Sequence, residues 1–364
     1  MNHIHLDTFF TFYIIAVFVI SIVLFRLFEY FSHSFGVREF QKTELTRWNP
    51  QYKPSVGGFV FYTIFLFMMI ISTLLLGIPD SNKLKLIGWW GATTIAFFMG
   101  FADDTFNTQP LIKAIAQIIC ALVLILSGTY IHFFQNHVLN HFLTIIWVVG
   151  IMNSINMLDN MDGIAGSMAL YILLFILIVM YYTNTNIFSA TFLINAGIST
   201  SLVAFLLFNF YPSKIFMGDT GSQFLGIILS FNGIEYIWNL PLYLPNMNTT
   251  LTHILLIALV YLILLTDTTT VTINRLLAGR SPFIGGKDHT THYLCQRGIN
   301  ERAVFYILSG ISITALFLAY QIIFHFSLVW FYISILYISI SFLFLYLNTK
   351  LFWSEKKNKK KSIY

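Results

Sequence analysis

The sequence predicts an all-α polytopic integral membrane protein with about eleven transmembrane helices. Of its 364 residues, 57% are hydrophobic and 10% are charged, and the mean hydropathy is +0.76. A soluble core of this size cannot bury so much apolar surface, so most of the chain should lie in lipid. The basic residues are unevenly distributed between the loops on the two sides, which predicts the orientation.

Eleven apolar stretches are long enough to cross the hydrocarbon core of a bilayer. In chain order they cover residues 8–27, 56–77, 84–101, 111–131, 141–157, 163–182, 187–208, 222–238, 250–272, 303–324 and 327–349. The fifth and the eighth of these stretches are short. The first lacks the basic flank and the small-residue cleavage site of a signal peptide, so we expect it to be retained as a helix.

The placement of lysine and arginine predicts an N-terminus outside and a C-terminus in the cytoplasm. An odd number of spans puts the two ends on opposite sides, and the basic run KKNKKK at 356–361 should be cytoplasmic. With this orientation 18 of the 20 basic residues face inward, and only Lys83 and Lys85 face outward. We expect a single transmembrane domain over residues 1–350 and a basic cytoplasmic tail over residues 351–364.

Seven of the nine aspartates lie at the predicted cytoplasmic edge of the spans. They are Asp103 and Asp104 in GFADD, Asp159 and Asp162 in NMLDNMDG, Asp219 in MGDTGS, Asp267 in LLTDTTT, and Asp288 in GGKDHTTH. A carboxylate next to hydrocarbon is costly, so several carboxylates at one depth predict a cation or phosphate site. Function should therefore be located on the cytoplasmic face.

The adjacent acids Asp103 and Asp104 end the third predicted span. Two neighbouring carboxylates repel each other, and a divalent cation relieves that repulsion. Such a pair can hold magnesium, or supply one metal ligand and one general base. Lys113, at the start of the next span, can neutralise one acid or bind a phosphate. The alternative is a pair of helix-terminal charges that face water.

The segment NSINMLDNMDGIAG carries Asn156, Asp159 and Asp162 at a spacing of three residues. On a helical turn this spacing puts the three side chains along one side. Amide and carboxylate groups together suit the hydrogen-bonding edges of a polar ligand, or a hydrated cation. The alternative for the acids is a hydrogen-bond network between helices.

The segment FMGDTGSQFLG places Asp219 between two glycines at the start of the eighth predicted span. Thr220 and Ser222 add hydroxyls, and the exposed amides of a helix N-terminus favour an anion. Because aspartate is also a common N-cap, this motif alone is weak evidence. Lys53, in the turn RWNPQYKPSVGG, is likewise available to an anionic ligand.

The last inward loop, 273–302, concentrates basic residues and histidines, namely Arg275, Arg280, Lys287, His289, His292 and Arg297. Two histidines three residues apart suit a phosphate or zinc, although the only candidate for a third zinc ligand is Cys295. The arginines favour a polyphosphate partner, and a purely topogenic basic loop is the alternative. Asp267 lies two helical turns before Arg275, so we expect it to be a charge partner within or between helices.

Taken in order, the motifs KPSVGG, FADD, NMLDNMDG, MGDTGS and GRSPF followed by DHTTH resemble those of the polyprenyl-phosphate N-acetylhexosamine-1-phosphate transferases, in glycosyltransferase family 4. The resemblance runs from about residue 47 to residue 298 and implies that residues 1–350 form a catalytic domain. It implies transfer of a sugar-1-phosphate from a UDP-sugar to polyprenyl phosphate, with release of UMP, at the cytoplasmic face of the plasma membrane. Such a step starts a cell-envelope glycan.

The resemblance also implies partners and residue roles. The partners are magnesium, with manganese as a substitute, the UDP-sugar, the lipid phosphate and the bilayer, without nucleic acid and with homodimer formation allowed. Asp219 binds the metal, and Asp103 or Asp104 deprotonates or orients the lipid phosphate while the other assists the metal, which assigns Asp104 as a second metal ligand. The residues expected to contact substrate are Lys53, Lys113, Asn156, Asp159, Asp162, Arg280, His289 and His292.

The chain departs from the family pattern at three points. Asn160 stands where many members have glycine, and because asparagine tolerates left-handed geometry the turn can survive. Thr291 takes the place of a third histidine, which argues against a three-histidine role. The run of histidines followed by an acid that marks the MurNAc-pentapeptide enzymes is missing from the sequence, which favours UDP-GlcNAc as donor. A phospho-MurNAc-pentapeptide transferase and a secondary transporter with a midplane carboxylate site are the alternatives.

Overall fold

The computed structural model describes residues 3–32, 53–76, 80–183, 189–240, 250–281 and 286–361. Over these residues the chain forms thirteen α-helices and one π-helical turn. The helices are α1 (His3–Ser32), α2 (Gly57–Leu76), α3 (Asp80–Phe106), α4 (Pro110–Leu126), α5 (His137–Leu158), α6 (Ile164–Tyr182), α7 (Ala190–Asn209), α8 (Gly218–Gly233), α9 (Thr250–Val260), α10 (Leu262–Leu277), α11 (Thr290–Gln296), α12 (Glu301–Phe324) and α13 (Leu328–Lys361). The π-helical turn Ile234–Trp238 continues α8.

The protein is an all-α polytopic membrane protein, as the composition predicts. Each of the eleven predicted spans corresponds to helical structure. In the described part of the chain, eight helices are long and apolar enough to cross a membrane, and the bent pair α9 and α10 makes a ninth if it is one span. Helices α4 and α8, with 17 and 16 residues, are shorter. The total of eleven spans and their orientation stay predictions.

One predicted span is broken. The sequence predicts a continuous span over residues 250–272, whereas α9 and α10 meet at an angle of 85° next to Tyr261. The segment contains neither proline nor glycine, so it carries no local signal for a break. Tyr261 is fully buried, and its hydroxyl donates a 2.8 Å hydrogen bond to the carbonyl oxygen of Leu229 in α8. Tertiary contacts therefore accompany the bend that the sequence pattern missed.

Helix α8 lies at the centre of the bundle and packs against α2, α3 and α5. All of its residues from Thr220 to Gly233 are buried. The helix contains several polar side chains, and these must find partners inside the protein because lipid offers none. Asn232, for example, exchanges two hydrogen bonds of 2.6 and 2.9 Å with Asn195 of α7. The surroundings of α8 are therefore mainly other helices and not lipid.

Several predicted boundaries move. Helix α3 continues through the GFADD motif, so Asp103 and Asp104 lie in its last turn and not beyond its end. Helix α13 runs on to Lys361, past residue 350, and the division into a membrane domain and a basic tail stays a prediction. Most of the predicted inward loop at 28–55, with its three basic residues before Lys53, lies outside the described residues.

The two ends of α3 have different chemistry. Near its start, the Lys85 ammonium lies 2.9 Å from both carboxylate oxygens of Glu235 in the π-helical turn. Asp103 follows Lys85 by five helical turns, a distance of about 27 Å along the helix axis. Lys85, which is predicted to face outward, is therefore at the opposite end of α3 from the acidic motif.

Candidate active site

The last turn of α3 holds the first turn of α8 through the carboxylate of Asp104. One oxygen of Asp104 accepts a 2.9 Å hydrogen bond from the backbone N–H of Asp219. The other accepts hydrogen bonds from the backbone N–H of Thr220 at 2.9 Å and from its hydroxyl at 2.5 Å. These donors are among the amides that a helix N-terminus leaves unpaired, and the negative charge is favourable there. Asp104 thus caps α8 from a different helix.

The glycine before Asp219 makes this contact sterically feasible. Gly218 has a φ angle of +71°, in the left-handed region that a side chain disfavours. A Cβ atom at Gly218 would also lie 2.7 Å from a carboxylate oxygen of Asp104. The glycine of the MGDTGS motif is therefore required by backbone geometry and by the approach of α3.

Asp103 points away from Asp104 and contacts a different set of groups. One oxygen accepts hydrogen bonds from the backbone N–H of Thr108 at 2.9 Å and from its hydroxyl at 2.6 Å. The other oxygen lies 2.7 Å from the Lys113 ammonium at the start of α4. Lys113 therefore neutralises an acid here, and its predicted contact with a phosphate stays a prediction.

Asp219 lies at the mouth of α8 and is the more open of the acids. Its side chain is 36% exposed, against 10% for Asp103. One oxygen accepts a hydrogen bond from the side-chain amide of Asn156, which also donates to the Ser222 hydroxyl at 2.8 Å. The other oxygen lies 3.6 Å from the Lys113 ammonium. Two distant motifs are predicted to share a site. Their acids, Asp103 and Asp219, do lie next to each other at the Lys113 ammonium.

A buried amide cluster lies next to the acids, and the sequence analysis did not single it out. Gln117 of α4 donates to Gln223 of α8 at 3.0 Å and exchanges hydrogen bonds of 2.9 and 3.3 Å with Asn153 of α5. Gln117 and Gln223 are at most 1% exposed. The sequence feature that could have identified these two residues is an amide side chain inside an apolar helix, because such an amide must find a hydrogen-bond partner within the protein. The cluster joins the three helices that carry Lys113, Asn156 and Asp219.

Asp162 and Lys53 form a second group near the turn between α5 and α6. The Lys53 ammonium lies 3.7 Å from the Asp162 carboxylate and donates to the Ser213 hydroxyl at 2.9 Å. The backbone N–H of Ser213 donates to the same carboxylate at 2.9 Å. Both charged side chains are largely buried, at 12% and 14% exposure. The two residues predicted to contact substrate therefore also neutralise each other.

The segment after Lys53 docks on the segment that leads into α8. Ser55 and Phe216 form an isolated parallel β-bridge, and the backbone N–H of Phe216 donates to the carbonyl of Pro54 at 2.9 Å. The N–H of Gly57 donates back to the carbonyl of Phe216 at 3.0 Å. The first and fourth motifs, KPSVGG and MGDTGS, are consequently held side by side.

The short helix α11 carries the histidine motif, and a buried acid of α10 fixes its start. Asp267, which is 1% exposed, accepts hydrogen bonds from the Thr290 backbone N–H at 2.8 Å and from its hydroxyl at 2.6 Å. Its other oxygen lies 3.0 Å from Nδ1 of His289. This contact leaves Nε2 as the nitrogen of His289 that faces away from Asp267.

Asp267 is a partner between helices, one of the two predicted possibilities, and it contacts His289 and Thr290 and not Arg275. The Arg275 guanidinium instead binds both oxygens of Asp288, at 2.8 and 2.6 Å. Burial raises the pKa of the Asp288 carboxyl, but the adjacent guanidinium outweighs burial and holds the pKa below its usual value. Arg275 thus contacts Asp288 just before α11, and Asp267 contacts the first residues of α11.

His292, the second histidine of the motif, is fully buried on α11. Burial lowers the pKa of its imidazole to about 3, and the neighbouring His289 acts in the same direction. The two rings have centroids 5.4 Å apart and lie edge to face. His292 is therefore neutral at physiological pH, and a direct ionic contact with a phosphate would have to come from other groups.

The turn after α5 differs from the expectation. Asn160 is not among the described residues with a positive φ angle, and the left-handed position of this turn is Gly163, with φ of +77°. The asparagine therefore does not substitute for glycine in backbone geometry. Its side chain donates to the Met157 carbonyl at 2.8 Å and accepts a 2.8 Å hydrogen bond from the Thr291 hydroxyl.

Two of the predicted substrate contacts remain at the edge of these groups. Asp159 is half-buried at the end of α5, and Arg280 is exposed on the turn that follows α10. The segment 282–285, which follows Arg280, lies outside the described residues. In the described part of the chain, no three histidine, cysteine, aspartate or glutamate side chains converge as a ready metal cage.

The chain is similar in sequence to known proteins. The family model described as "Glycosyl transferase family 4" matches residues 86–237. The chain is 29% identical over 237 residues to a probable undecaprenyl-phosphate N-acetylglucosaminyl 1-phosphate transferase of Bacillus subtilis. The aligned residues make up 62% of this chain and 63% of that protein. It is 29% identical over 203 residues to a phospho-N-acetylmuramoyl-pentapeptide-transferase of Lactococcus lactis, covering 50% of this chain and 59% of the relative.

A third relative extends the match along the chain. This decaprenyl-phosphate N-acetylglucosaminephosphotransferase of Mycolicibacterium smegmatis is 28% identical over 286 residues, covering 72% of this chain and 70% of its own length. The chain spans less than two thirds of the Bacillus and Lactococcus relatives. The matched family segment contains Asp103, Asp104, Lys113, Asn156 and Asp219, the residues that the structure brings together. Residues 86–237 thus match the model of glycosyl transferase family 4, and the chain is similar to two relatives named as polyprenyl-phosphate N-acetylglucosamine-phosphate transferases.

Proposed function

We propose that the protein transfers N-acetylhexosamine-1-phosphate from a UDP-sugar to a polyprenyl phosphate such as undecaprenyl phosphate, and that the reaction depends on magnesium. The observation that carries this proposal is the meeting of Asp103 and Asp219 at the Lys113 ammonium, at distances of 2.7 and 3.6 Å. Two carboxylates and one lysine at the end of membrane helices suit the binding of phosphate groups through a divalent cation.

The donor atoms around Lys113 fit a magnesium ion. Asp103 and Asp219 supply carboxylate oxygens, and the side-chain oxygen of Asn156 lies 3.5 Å from the same ammonium. Magnesium prefers hard oxygen ligands, and it is usually held by one or two carboxylates together with water and substrate phosphates. A cage of three acids is therefore not required. When bound, the metal supplies positive charge that offsets the repulsion between two phosphate-bearing substrates.

This geometry favours Asp103 over Asp104 as the partner of Asp219 at the metal. Both oxygens of Asp104 accept hydrogen bonds from the start of α8. Asp104 then acts as a positioning residue that fixes the backbone of Asp219. Its role as a metal ligand, implied by the family resemblance, stays a prediction.

The proposed reaction is a displacement at phosphorus. An oxygen of the lipid phosphate attacks the β-phosphorus of the UDP-sugar, and the bond from that phosphorus to the oxygen bridging to the α-phosphorus breaks. UMP leaves with the bridging oxygen, and the sugar stays attached to the lipid through a diphosphate. The lipid phosphate is already ionised near neutral pH, so we favour direct attack over a phospho-aspartate intermediate. Asp103 accepts two hydrogen bonds from Thr108 and pairs with Lys113, and these three contacts hold its carboxylate in place. They support a role for Asp103 in orienting the lipid phosphate.

The remaining contacts are assigned by motif. Asn156, Asp159 and Asp162 line the nucleotide side, with Lys53 and Lys113 next to anionic groups. His289, His292 and Arg280 face the sugar and diphosphate side. Because His292 is buried and neutral, we assign it a hydrogen-bonding or packing role and leave charge neutralisation to the lysines and Arg280. The site would lie on the cytoplasmic face of the plasma membrane.

We favour UDP-GlcNAc as the donor over UDP-MurNAc-pentapeptide. The Bacillus relative is named for the N-acetylglucosaminyl chemistry and the Lactococcus relative for the pentapeptide chemistry, both at 29% identity, so identity does not separate the two donors. The histidine motif supports UDP-GlcNAc, because it reads His-Thr-Thr-His and is not the run of histidines followed by an acid that marks the pentapeptide enzymes.

Release of UMP tests the proposal directly. Purified full-length protein is given undecaprenyl phosphate and magnesium with a panel of donors that includes UDP-GlcNAc, UDP-GalNAc and UDP-MurNAc-pentapeptide. We expect UMP release with an N-acetylhexosamine donor, dependent on both the lipid and the metal. Turnover with the pentapeptide donor alone would reassign the substrate. Absence of turnover with every donor would overturn the proposal, and flux of a solute in proteoliposomes without turnover would support the secondary transporter.

A further inference from the structure

A buried hydrogen bond joins the turn after α5 to the histidine helix α11. The Thr291 hydroxyl donates to the side-chain oxygen of Asn160 at 2.8 Å, across 131 residues of sequence. Thr291 is fully buried and Asn160 is 4% exposed, so water does not compete for the contact. A hydrogen bond of this kind is costly to leave half-made, because the remaining partner would be buried without its bond.

The side chain of Asn160, and not its backbone, is what this position requires. Its backbone lies outside the left-handed region, which Gly163 occupies in the same turn. The side-chain amide donates to the Met157 carbonyl at the end of α5, and its oxygen faces Thr291. The amide therefore links the last turn of α5 to α11 by one bond on each side.

The hydrogen bond between Asn160 and Thr291 connects two segments that carry residues of the candidate active site. Asn156 lies one helical turn before Asn160 and donates to the carboxylate of Asp219. On the other side, Thr291 lies between His289 and His292 on α11. Asp267 fixes the start of α11 through His289 and Thr290, and the helix packs against α12 and α13. The contact with Asn160 adds a polar anchor at the turn that follows the helix carrying Asn156.

We propose that Asn160 and Thr291 act as one positioning unit that sets the orientation of the histidine helix toward the acids at α3, α5 and α8. The side chains at positions 160 and 291 are then interdependent, because each supplies the partner of the other in a buried hydrogen bond. The inference rests on the proposed transferase function and deepens it. Neither residue touches the reacting atoms in the proposed reaction, so both act through the groups that they position.

The coupling has a steric reason as well as a polar one. Replacing Thr291 by histidine alone would put an imidazole against the Asn160 amide at a position with no exposed surface. Replacing Asn160 by glycine alone would remove the acceptor of the Thr291 hydroxyl. With both substitutions, the imidazole at position 291 takes up the volume that the amide at position 160 leaves. The pair should therefore change in concert.

The first test separates the hydroxyl from the shape of the side chain. T291V removes the hydroxyl at nearly constant volume, and T291S keeps the hydroxyl. We expect T291V to lower kcat for UMP release about tenfold or more, since a small misplacement of aligned groups slows chemistry strongly. The KM for polyprenyl phosphate should stay unchanged, and T291S should retain wild-type kcat. T268V is the matched control, because Thr268 of α10 donates a hydrogen bond of the same 2.8 Å length to Ser154 of α5.

The second test is a double-mutant cycle with N160A. If the two residues act through one bond, N160A/T291V should lose no more activity than the more affected single variant, whereas independent roles would multiply the two losses. The exchange variant N160G/T291H should recover kcat to within about threefold of wild type, while T291H alone stays low. Thermal unfolding of every variant in detergent identifies any that fails to fold.

The outcomes separate the two hypotheses. If wild-type protein releases no UMP with any donor, the proposed function fails, and the cycle is read from melting temperatures alone. If wild type turns over normally but T291V matches it, or the losses at positions 160 and 291 multiply, the positioning inference is overturned and the function stands. A kcat of N160G/T291H no higher than that of T291H would likewise refute the interdependence of the two positions.

Discussion

Asp104 accepts a 2.9 Å hydrogen bond from the backbone N–H of Asp219, so one acid of the candidate site fixes the main chain of another. The contact joins the end of α3 to the start of α8 across 115 residues of sequence. Two acids that look equivalent in the sequence, Asp103 and Asp104, therefore have different surroundings. One faces a lysine, and the other caps a helix.

The cap predicts that D104N destabilises the protein. An amide in place of the carboxylate would turn an N–H group toward one of the donors that Asp104 now accepts. We expect a loss of ~1–3 kcal/mol in the free energy of unfolding, seen as a lower melting temperature in detergent. E29Q is the control, because Glu29 lies on α1 in a 3.5 Å pair with the exposed Arg26. An unchanged melting temperature for D104N would contradict the capping role.

Asp219 should matter for turnover and little for stability. Its side chain is 36% exposed, so D219N should unfold near the wild-type temperature. We expect kcat for UMP release to fall by about a thousandfold or more, because a metal ligand that stabilises transition-state charge is lost. E29Q should keep wild-type turnover. Comparable losses in the two variants would show that the division into site and surface is wrong.

Lys113 should compete with a divalent cation for the two acids. Its ammonium lies 2.7 Å from Asp103 and 3.6 Å from Asp219, so K113Q removes a positive charge from the place where magnesium is proposed to bind. We expect magnesium to raise the melting temperature of K113Q at about tenfold lower concentration than wild type, with slower turnover. K53Q serves as control, because Lys53 pairs with Asp162. Weaker magnesium stabilisation of K113Q would count against a shared metal site.

His292 should make stability depend on pH in the acid range. Burial lowers the pKa of its imidazole from 6.5 to about 3, so the unfolded chain binds a proton that the folded protein excludes. The folded state is therefore favoured fully above pH 6.5 and loses stability as the pH falls from 6.5 toward 3, by ~1.4 kcal/mol per pH unit.

The matched variant for this effect is H292Q, which has no titrating group at position 292. Between pH 7.5 and pH 5 the melting temperature of wild type should fall more than that of H292Q. The difference between the two curves isolates His292 from the other histidines. Parallel curves would show that the imidazole is accessible to protons in the folded state.

The fold class was predictable because hydrophobicity is a local property of each helix. Apolar stretches of sufficient length appear in the sequence whatever they pack against, and each of the eleven has helical structure. The break at Tyr261 was not predictable, since no proline or glycine marks it and the contact with Leu229 is between helices. Helix ends, such as the extension of α3 through Asp104, also depend on partners elsewhere in the chain.

The site was predicted as a set of residues but not as a set of partners. Carboxylates beside apolar helices are recognisable one motif at a time, and Asp103, Asp219, Asn156 and Lys113 do meet. Which acid faces the lysine could not be read from two adjacent aspartates, because their directions depend on α4 and α8. The buried amides Gln117 and Gln223 were missed because a single amide in an apolar helix does not reveal its partner.

The sequence by itself determined that this is a helical membrane protein with its acids at helix ends, because transfer of apolar and charged groups into lipid depends on residue type alone. The tertiary structure alone decided how the acids divide their roles. Asp104 caps α8, Asp103 shares Lys113 with Asp219, and Asp267 holds His289. Hydrogen bonds and ion pairs act over about 3 Å, so they exist only once distant segments have been packed together.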